Sequence, residues 1–283
     1  MIAVLLAAVM VCITGCGSAT AISRHGRSMP TDEFGPTGSL LPPGYDTALL
    51  PTVDPLPYIG YLTPAVITKQ PTPGISGHNH RINRKGFSVE AIAEYFDEIA
   101  LHAEYGSSDN RVHKWNDEIV MCVKGTPTAQ DRLVLQSILW KMNSVYGFPG
   151  IRETVSEFEA NLVITFANDA EYTRITPSTI NDSTDGFATC WWQNSVIYKA
   201  EIGIRTSISQ NERNSVIWEE MVQSTGLQND SYLYPESLFY QGYNEVQEPT
   251  DLDWILFEIL YHPDVPAGLS RAEALLLSTT LLE

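Results

Sequence analysis

Trp218-Glu219-Glu220-Met221-Val222-Gln223-Ser224-Thr225-Gly226-Leu227-Gln228-Asn229-Asp230 is the stretch on which the reading of this chain turns. The preceding residues predict a helix over about 211–225, which sets Glu219 and Gln223 one turn apart on the same face. Working outward, Ser88 caps a run with apolar residues at 89, 92, 96, 99 and 103, predicting a helix over about 89–105. Ile119–Val123 reads as a strand. Thr128 and Asp131 resemble a capping box opening a helix to about 145, with Leu133, Ile138 and Met142 inward. Leu162–Phe166 is a short buried-type strand, and Phe187–Trp192 with Ser195–Ile204 predicts a hairpin around Gln193-Asn194. Two further helices are expected at about 251–260 and 271–282. Helix, strand, helix, strands, helix, helix indicates an α+β or mixed α/β domain over 86–283, with a small twisted sheet.

The frame of the opening stretch matches the metzincin zinc-protease motif H-E-x-x-H-x-x-G-x-x-H. Glu220 falls on that motif's general base and Gly226 on its turning glycine. Its three metal-ligand positions fall on Glu219, Gln223 and Asn229, none of them histidine. Further along, Glu236-Ser237-Leu238-Phe239-Tyr240 resembles the turn beneath the metal in that superfamily, with Phe239 at the usual methionine. The helix ending Ile259-Leu260-Tyr261 resembles the one that follows the turn. The string E-E-x-x-Q-x-x-G-L-x-N-D, then S-L-F, L-Y-x-P and P-x-G-L-S, is also similar to an uncharacterised domain-of-unknown-function family of predicted bacterial lipoproteins, over roughly residues 85–283. The resemblance implies a metzincin-like single domain whose cleft is formed around Gly226, Asp230, Ser237, Phe239 and Tyr240.

Glu219 with two amide oxygens is a hard, all-oxygen set, suited to Ca²⁺ or to no metal. Zinc favours thiolate, imidazole and carboxylate, so no zinc and no cofactor are expected. Without a metal to activate water, Glu220 has no nucleophile to partner, and hydrolysis by the zincin route is disfavoured. The expected function is therefore a zinc-free pseudo-peptidase domain that binds an envelope or extracellular component. Two alternatives stand beside it: a peptidase-like hydrolase with Glu220 as base and Tyr240 as electrophile, and a Ca²⁺-stabilised adhesion module. In a purely structural reading, Glu219, Gln223 and Asn229 hydrogen-bond to one another and to backbone. Tyr232, Tyr234, Phe239, Tyr240 and Tyr243 crowd the loop after the motif, where they would suit a peptide or glycan or build the loop's own core. Trp191-Trp192 sets one indole on each face of its strand. No G-x-S-x-G elbow, P-loop or C-x-x-C occurs.

The N-terminus supplies an address. Residues 1–15 form a short apolar stretch ending in small residues, too short for a spanning helix of roughly 20 residues, and they read as a signal segment. Ile13-Thr14-Gly15-Cys16 resembles the bacterial lipobox, which implies acylation of Cys16 and a membrane partner reached through lipid. Localisation is then extracytoplasmic, on a bacterial outer membrane or cell surface. Ten of the 17 prolines lie between Gly17 and Lys85, so 16–85 is expected to be an extended stalk. His78-Asn79-His80 at its end is an H-x-H pair without a nearby third ligand and reads as solvated chain. Cys122 and Cys190 lie on separate expected strands and read as buried thiols, although an extracytoplasmic location would permit a disulfide.

Charge narrows the partners. The 283 residues carry 34 acidic and 17 basic side chains, a net charge of -17. That argues against a nucleic-acid-binding surface, which needs clustered Lys and Arg, so no nucleic acid is expected. The excess is local: Asn214 to Ser270 holds ten acidic residues and no Lys or Arg, with Glu219 and Glu220 among them, whereas 17–85 has four acidic against six basic.

Overall fold

A computed structural model describes residues 10–14, 80–102, 109–178, 180, 184–242 and 246–283. All of them belong to one unit, made of 1–21 and 67–283. The expected acylation site at Cys16, most of the expected stalk, His78 and Tyr243 lie outside the described residues.

The sheet has strands β1 (Met10–Thr14), β2 (Lys114–Trp115), β3 (Ile119–Gly125), β4 (Ile151–Thr154), β5 (Leu162–Ala167), β6 (Gly186–Gln193) and β7 (Val196–Arg205). Their order is β1-β6-β7-β5-β3-β4, with β2 added beside β7. β4, β3, β5 and β7 run parallel, and β6 and β1 close the other side antiparallel. This explains the composition of β3 and β5, whose near-continuous apolar runs suit strands covered on both faces. The β6–β7 hairpin turns at Asn194 and Ser195, both left-handed with φ of 52° and 64°, a backbone state that asparagine tolerates better than most residues.

Among the described residues six helices complete the domain: α1 (Val89–Ala100), α2 (Ala129–Ser144), α3 (Asp169–Ile175), α4 (Gln210–Gln223), α5 (Asp251–Tyr261) and α6 (Arg271–Leu282). Each starts on a Ser, Thr or Asn whose side chain accepts an otherwise orphaned backbone N–H, and α2, α4, α5 and α6 have full capping boxes. α2 and α4 pack on each other, and α4 also lies on β6 and β7. α1 packs on α5 and α6. A smaller cluster of Ala167, Tyr172, Ile180 and Phe187 forms around α3.

The mixed α/β architecture and all five expected helices are present. The differences are local. Leu133, expected inward on α2, is 57% exposed, and Val134 and Leu135 are buried in its place. α1 stops at Ala100 rather than near 105. β2, β4 and α3 were not expected; they are two, four and seven residues long, too short for periodicity to declare itself. The chain joins the domain before residue 86: Ile82 is buried and its N–H bonds to Leu281 O, while the His262 ring hydrogen-bonds to His80 O. His80 is thus packed chain, not solvated stalk.

Cys122 on β3 and Cys190 on β6 are buried thiols not joined by a disulfide, with β5 and β7 between their strands. No helix among the described residues is long and apolar enough to cross a membrane.

Candidate functional site

Helix α4 turns its motif inward, and every residue from Ser215 to Gln228 is buried. Glu220 is fully covered, and its side chain lies against the start of β6 where residue 186 is glycine. A Cβ on Gly186 would come within 2.4 Å of Val216 Cγ1 and 2.7 Å of Glu220 Oε1, so the missing side chain is what admits the acid. Glu219, one residue earlier, is also buried.

One helical turn on, Gln223 Nε2 donates a 2.9 Å hydrogen bond to Asp230 Oδ1. Gln223 Oε1 accepts none among the described residues. Burial pushes the Asp230 carboxyl up to about 7, and the bond from Gln223 opposes that rise. Asn229 points elsewhere. Its Nδ2 donates to Glu98 O and Asp230 O, each at 3.0 Å, while the backbone N–H groups of Gln228 and Asn229 both reach Ile99 O. Residues 228–229 therefore dock on the last turn of α1 and satisfy carbonyls that a helix end leaves open.

Between these anchors the chain turns at Gly226, with φ +120°. A Cβ there would sit 2.0 Å from His113 O, so both conformation and space demand glycine. The carbonyls at the end of α4 are also claimed. Ser224 O accepts from Trp115 Nε1 at 2.9 Å, and Thr225 O accepts from Tyr261 Oη at 2.8 Å.

The 231–241 turn folds back below. Ser231 N–H donates to Phe239 O and Gln241 N–H to Ser231 O, with Phe239 fully buried. Ser237 is the hub: its hydroxyl donates to Asp253 Oδ1 at 2.6 Å and lies 2.6 Å from Tyr95 Oη. Since the one serine proton goes to the carboxylate, Tyr95 donates to Ser237. Asp253 Oδ2 accepts from Leu238 N, Thr250 N and Thr250 Oγ1. Burial pushes the Asp253 carboxyl up against these donors, and pushes the Tyr95 phenol above its ordinary range. Of the loop aromatics, Tyr234 packs edge-on to Tyr95 at 4.8 Å, and Tyr232, 59% exposed, stands edge-on to Tyr240 at 6.1 Å. Trp192 is buried against the His113 ring, while partly covered Trp191 lies 4.5 Å from the Lys199 ammonium.

With this geometry in view, residues 89–277 match the family described as Protein of unknown function (DUF2927). The chain belongs to the DUF2927 family. The DUF2927 match opens on the first residue of α1 and closes inside α6, so the whole network from Tyr95 to Asp253 lies within it. No curated protein matches the chain.

Among the described residues no three or more His, Cys, Asp or Glu side chains gather as a metal-holding group. Gln223 donates its amide N–H to Asp230, and Asn229 donates its own to the end of α1 and to Asp230 O. Sequence reasoning missed Tyr95, Glu98 and Asp253 as members of the network. For Tyr95 a signal existed, because a tyrosine on the inward face of a helix needs a partner for its hydroxyl.

Proposed function

We propose that this DUF2927 protein is a lipid-anchored extracytoplasmic binding protein whose metzincin-like domain recognises an extended peptide segment of an envelope or extracellular partner without zinc chemistry. The observation that carries this reading is where the polar side chains of the 219–230 frame make their hydrogen bonds. Gln223 and Asn229 are engaged with Asp230 and with the end of α1, which favours a fixed scaffold over a metal-ligand set. The lipobox-like tetrad at 13–16 supports the anchor.

The mode of recognition follows from β6. Its outer edge accepts β1 antiparallel over five residues, Met10↔Trp192 to Thr14↔Ala188. Those five residues lie in the segment expected to be removed ahead of Cys16. Processing would then leave the edge of β6, next to the helix that carries Glu220, open to another extended strand.

The test compares chains 1–283 and 16–283. Extended peptides selected against 16–283 are expected to protect the Ala188–Trp192 amides from hydrogen exchange and to bind 1–283 more weakly. Stoichiometric zinc in the purified protein, with proteolysis abolished by Glu220→Ala, would overturn the proposal.

A further inference from the structure

Two cavities of about 340 and 380 Å³ adjoin on Tyr146 and include none of the residues of the 219–230 frame. The first is walled by Tyr146, Trp254, His80, His262, Lys141 and Glu258. The second continues past Tyr146 over Phe148, Asn116 and Tyr261.

The walls are fixed in advance. Gly147 adopts φ +83°, and a Cβ on it would lie 2.1 Å from Tyr261 O, so the loop after α2 is pressed onto the end of α5. The His262 ring is held on both nitrogens, accepting from Asp264 N–H at Nδ1 and donating from Nε2 to His80 O at 3.0 Å. That assignment requires a neutral ring, and burial pushes His262 down in the same sense. The His80 and Tyr146 rings sit 4.5 Å apart, centroid to centroid. A site built this way loses little freedom when it is filled.

Its charges narrow the ligand. The Lys141 ammonium is paired with Glu248 at 2.6 Å, and the Lys114 ammonium, at the edge of the second cavity, is held by Leu260 O and Val265 O. Neither is free to bind an anion, and both disfavour a cation. Glu258 is half-buried and accepts no hydrogen bond among the described residues, so it is an acceptor in want of donors. Ring faces beside an unused carboxylate and the amide of Asn116 match a neutral, polyhydroxylated molecule. The C–H faces of a sugar pack on aromatic rings, and its hydroxyls donate to carboxylates and amides. Two cavities of this size that share Tyr146 make room for more than one sugar unit. We propose that the paired cavities around Tyr146 bind an oligosaccharide, with Trp254 and Tyr146 as stacking surfaces and Glu258 as the hydroxyl acceptor.

The probes are the tetrasaccharides of β-1,4-linked N-acetylglucosamine, β-1,4-linked glucose and α-1,4-linked glucose, titrated calorimetrically into the full 283-residue chain. At least one is expected to bind with Kd between about 10 μM and 1 mM. Glu258→Gln and Trp254→Ala should each weaken it by about tenfold or more, and Phe158→Ala, at a 99% exposed position on another loop, should not. Trp254 also packs on Trp218 and Phe257, so Tyr146→Ala, checked for fold by circular dichroism, serves if Trp254→Ala does not fold. The proposal is overturned if no tetrasaccharide binds up to about 10 mM. It is equally overturned if Glu258→Gln and Tyr146→Ala bind as the parent does, or if tetralysine binds through Glu258 in place of the sugars. Strand addition at β6 is untouched by any of these results.

Discussion

Gln223 and Asp230 are joined side chain to side chain across the Gly226 turn, by a 2.9 Å bond from the buried amide to the buried carboxyl. The carboxyl is pushed up to about 7, chiefly by burial. A carboxyl that holds its proton longer when folded gives its full stabilisation below its unfolded pKa of about 3.9, and loses it as pH rises through the folded value. Asp230→Asn keeps the acceptor for Gln223 and removes the titration. It should match the parent near pH 3.5, below the unfolded pKa, and exceed it by about 1–3 kcal/mol near pH 8.5, read from urea unfolding at both pH values. A gain of equal size at both would show that the charge of Asp230 is not the cause.

Gly226→Ala should be severely destabilising, because φ is +120° and the new Cβ would meet His113 O at 2.0 Å. A cost of about 3 kcal/mol or more is expected, as a lowered denaturation midpoint or loss of soluble protein. A variant within about 0.5 kcal/mol of the parent would mean the 226 turn relaxes away from His113.

Much of this architecture is legible in the sequence because it is set locally. Ser88, Thr128 and Thr250 announce their helices through side chains three residues from the N–H they satisfy. The β6–β7 hairpin is announced by an asparagine that tolerates a left-handed turn. What stays hidden depends on contacts far apart in the chain. Helical spacing sets Glu219 and Gln223 on one face, but Asn229 lies beyond Gly226, outside the helix. Its direction is decided by the docking of 228–229 on α1, 131 residues earlier. Leu133 illustrates a second limit. On α2 the apolar residues at 133, 134 and 135 are consecutive, and only packing against α4 and β4 decides which of them turn inward.

Asp131 should be among the costliest surface-remote residues to remove. It is fully buried, completes the capping box of α2, and accepts from Arg213 Nε at 2.9 Å and Gln210 Nε2 at 2.7 Å. Burial works to raise its carboxyl, yet the bonds from Arg213, Gln210 and Thr128 together hold it below the ordinary range. Asp131→Ala strands the buried Arg213 guanidinium and should cost about 3–5 kcal/mol at pH 7. Because the folded pKa is depressed, this stabilisation is present above the unfolded value and fades as pH falls through the folded one. The gap between parent and variant should therefore narrow below about pH 4 in chemical denaturation. A gap that is constant with pH would assign the loss to packing.

Ser237 joins α1 to α5 by receiving a proton from Tyr95 and passing its own to Asp253, each at 2.6 Å. Tyr95→Phe removes one buried donor and leaves Ser237 its bonds to Asp253 and from Phe239 N–H, so a cost of about 1 kcal/mol is expected. Ser237→Ala strands the Tyr95 hydroxyl and takes one donor from buried Asp253, for about 2–3 kcal/mol. Once Ser237 is gone, the Tyr95 hydroxyl is a buried group without its acceptor, and its removal should then be neutral or stabilising. The double variant should thus be no worse than Ser237→Ala alone, with a coupling of about 1 kcal/mol or more in a double-mutant cycle measured by urea unfolding. Strict additivity would mean that Tyr95 and Ser237 stabilise the fold independently and that the chain from α1 to α5 is not a cooperative unit.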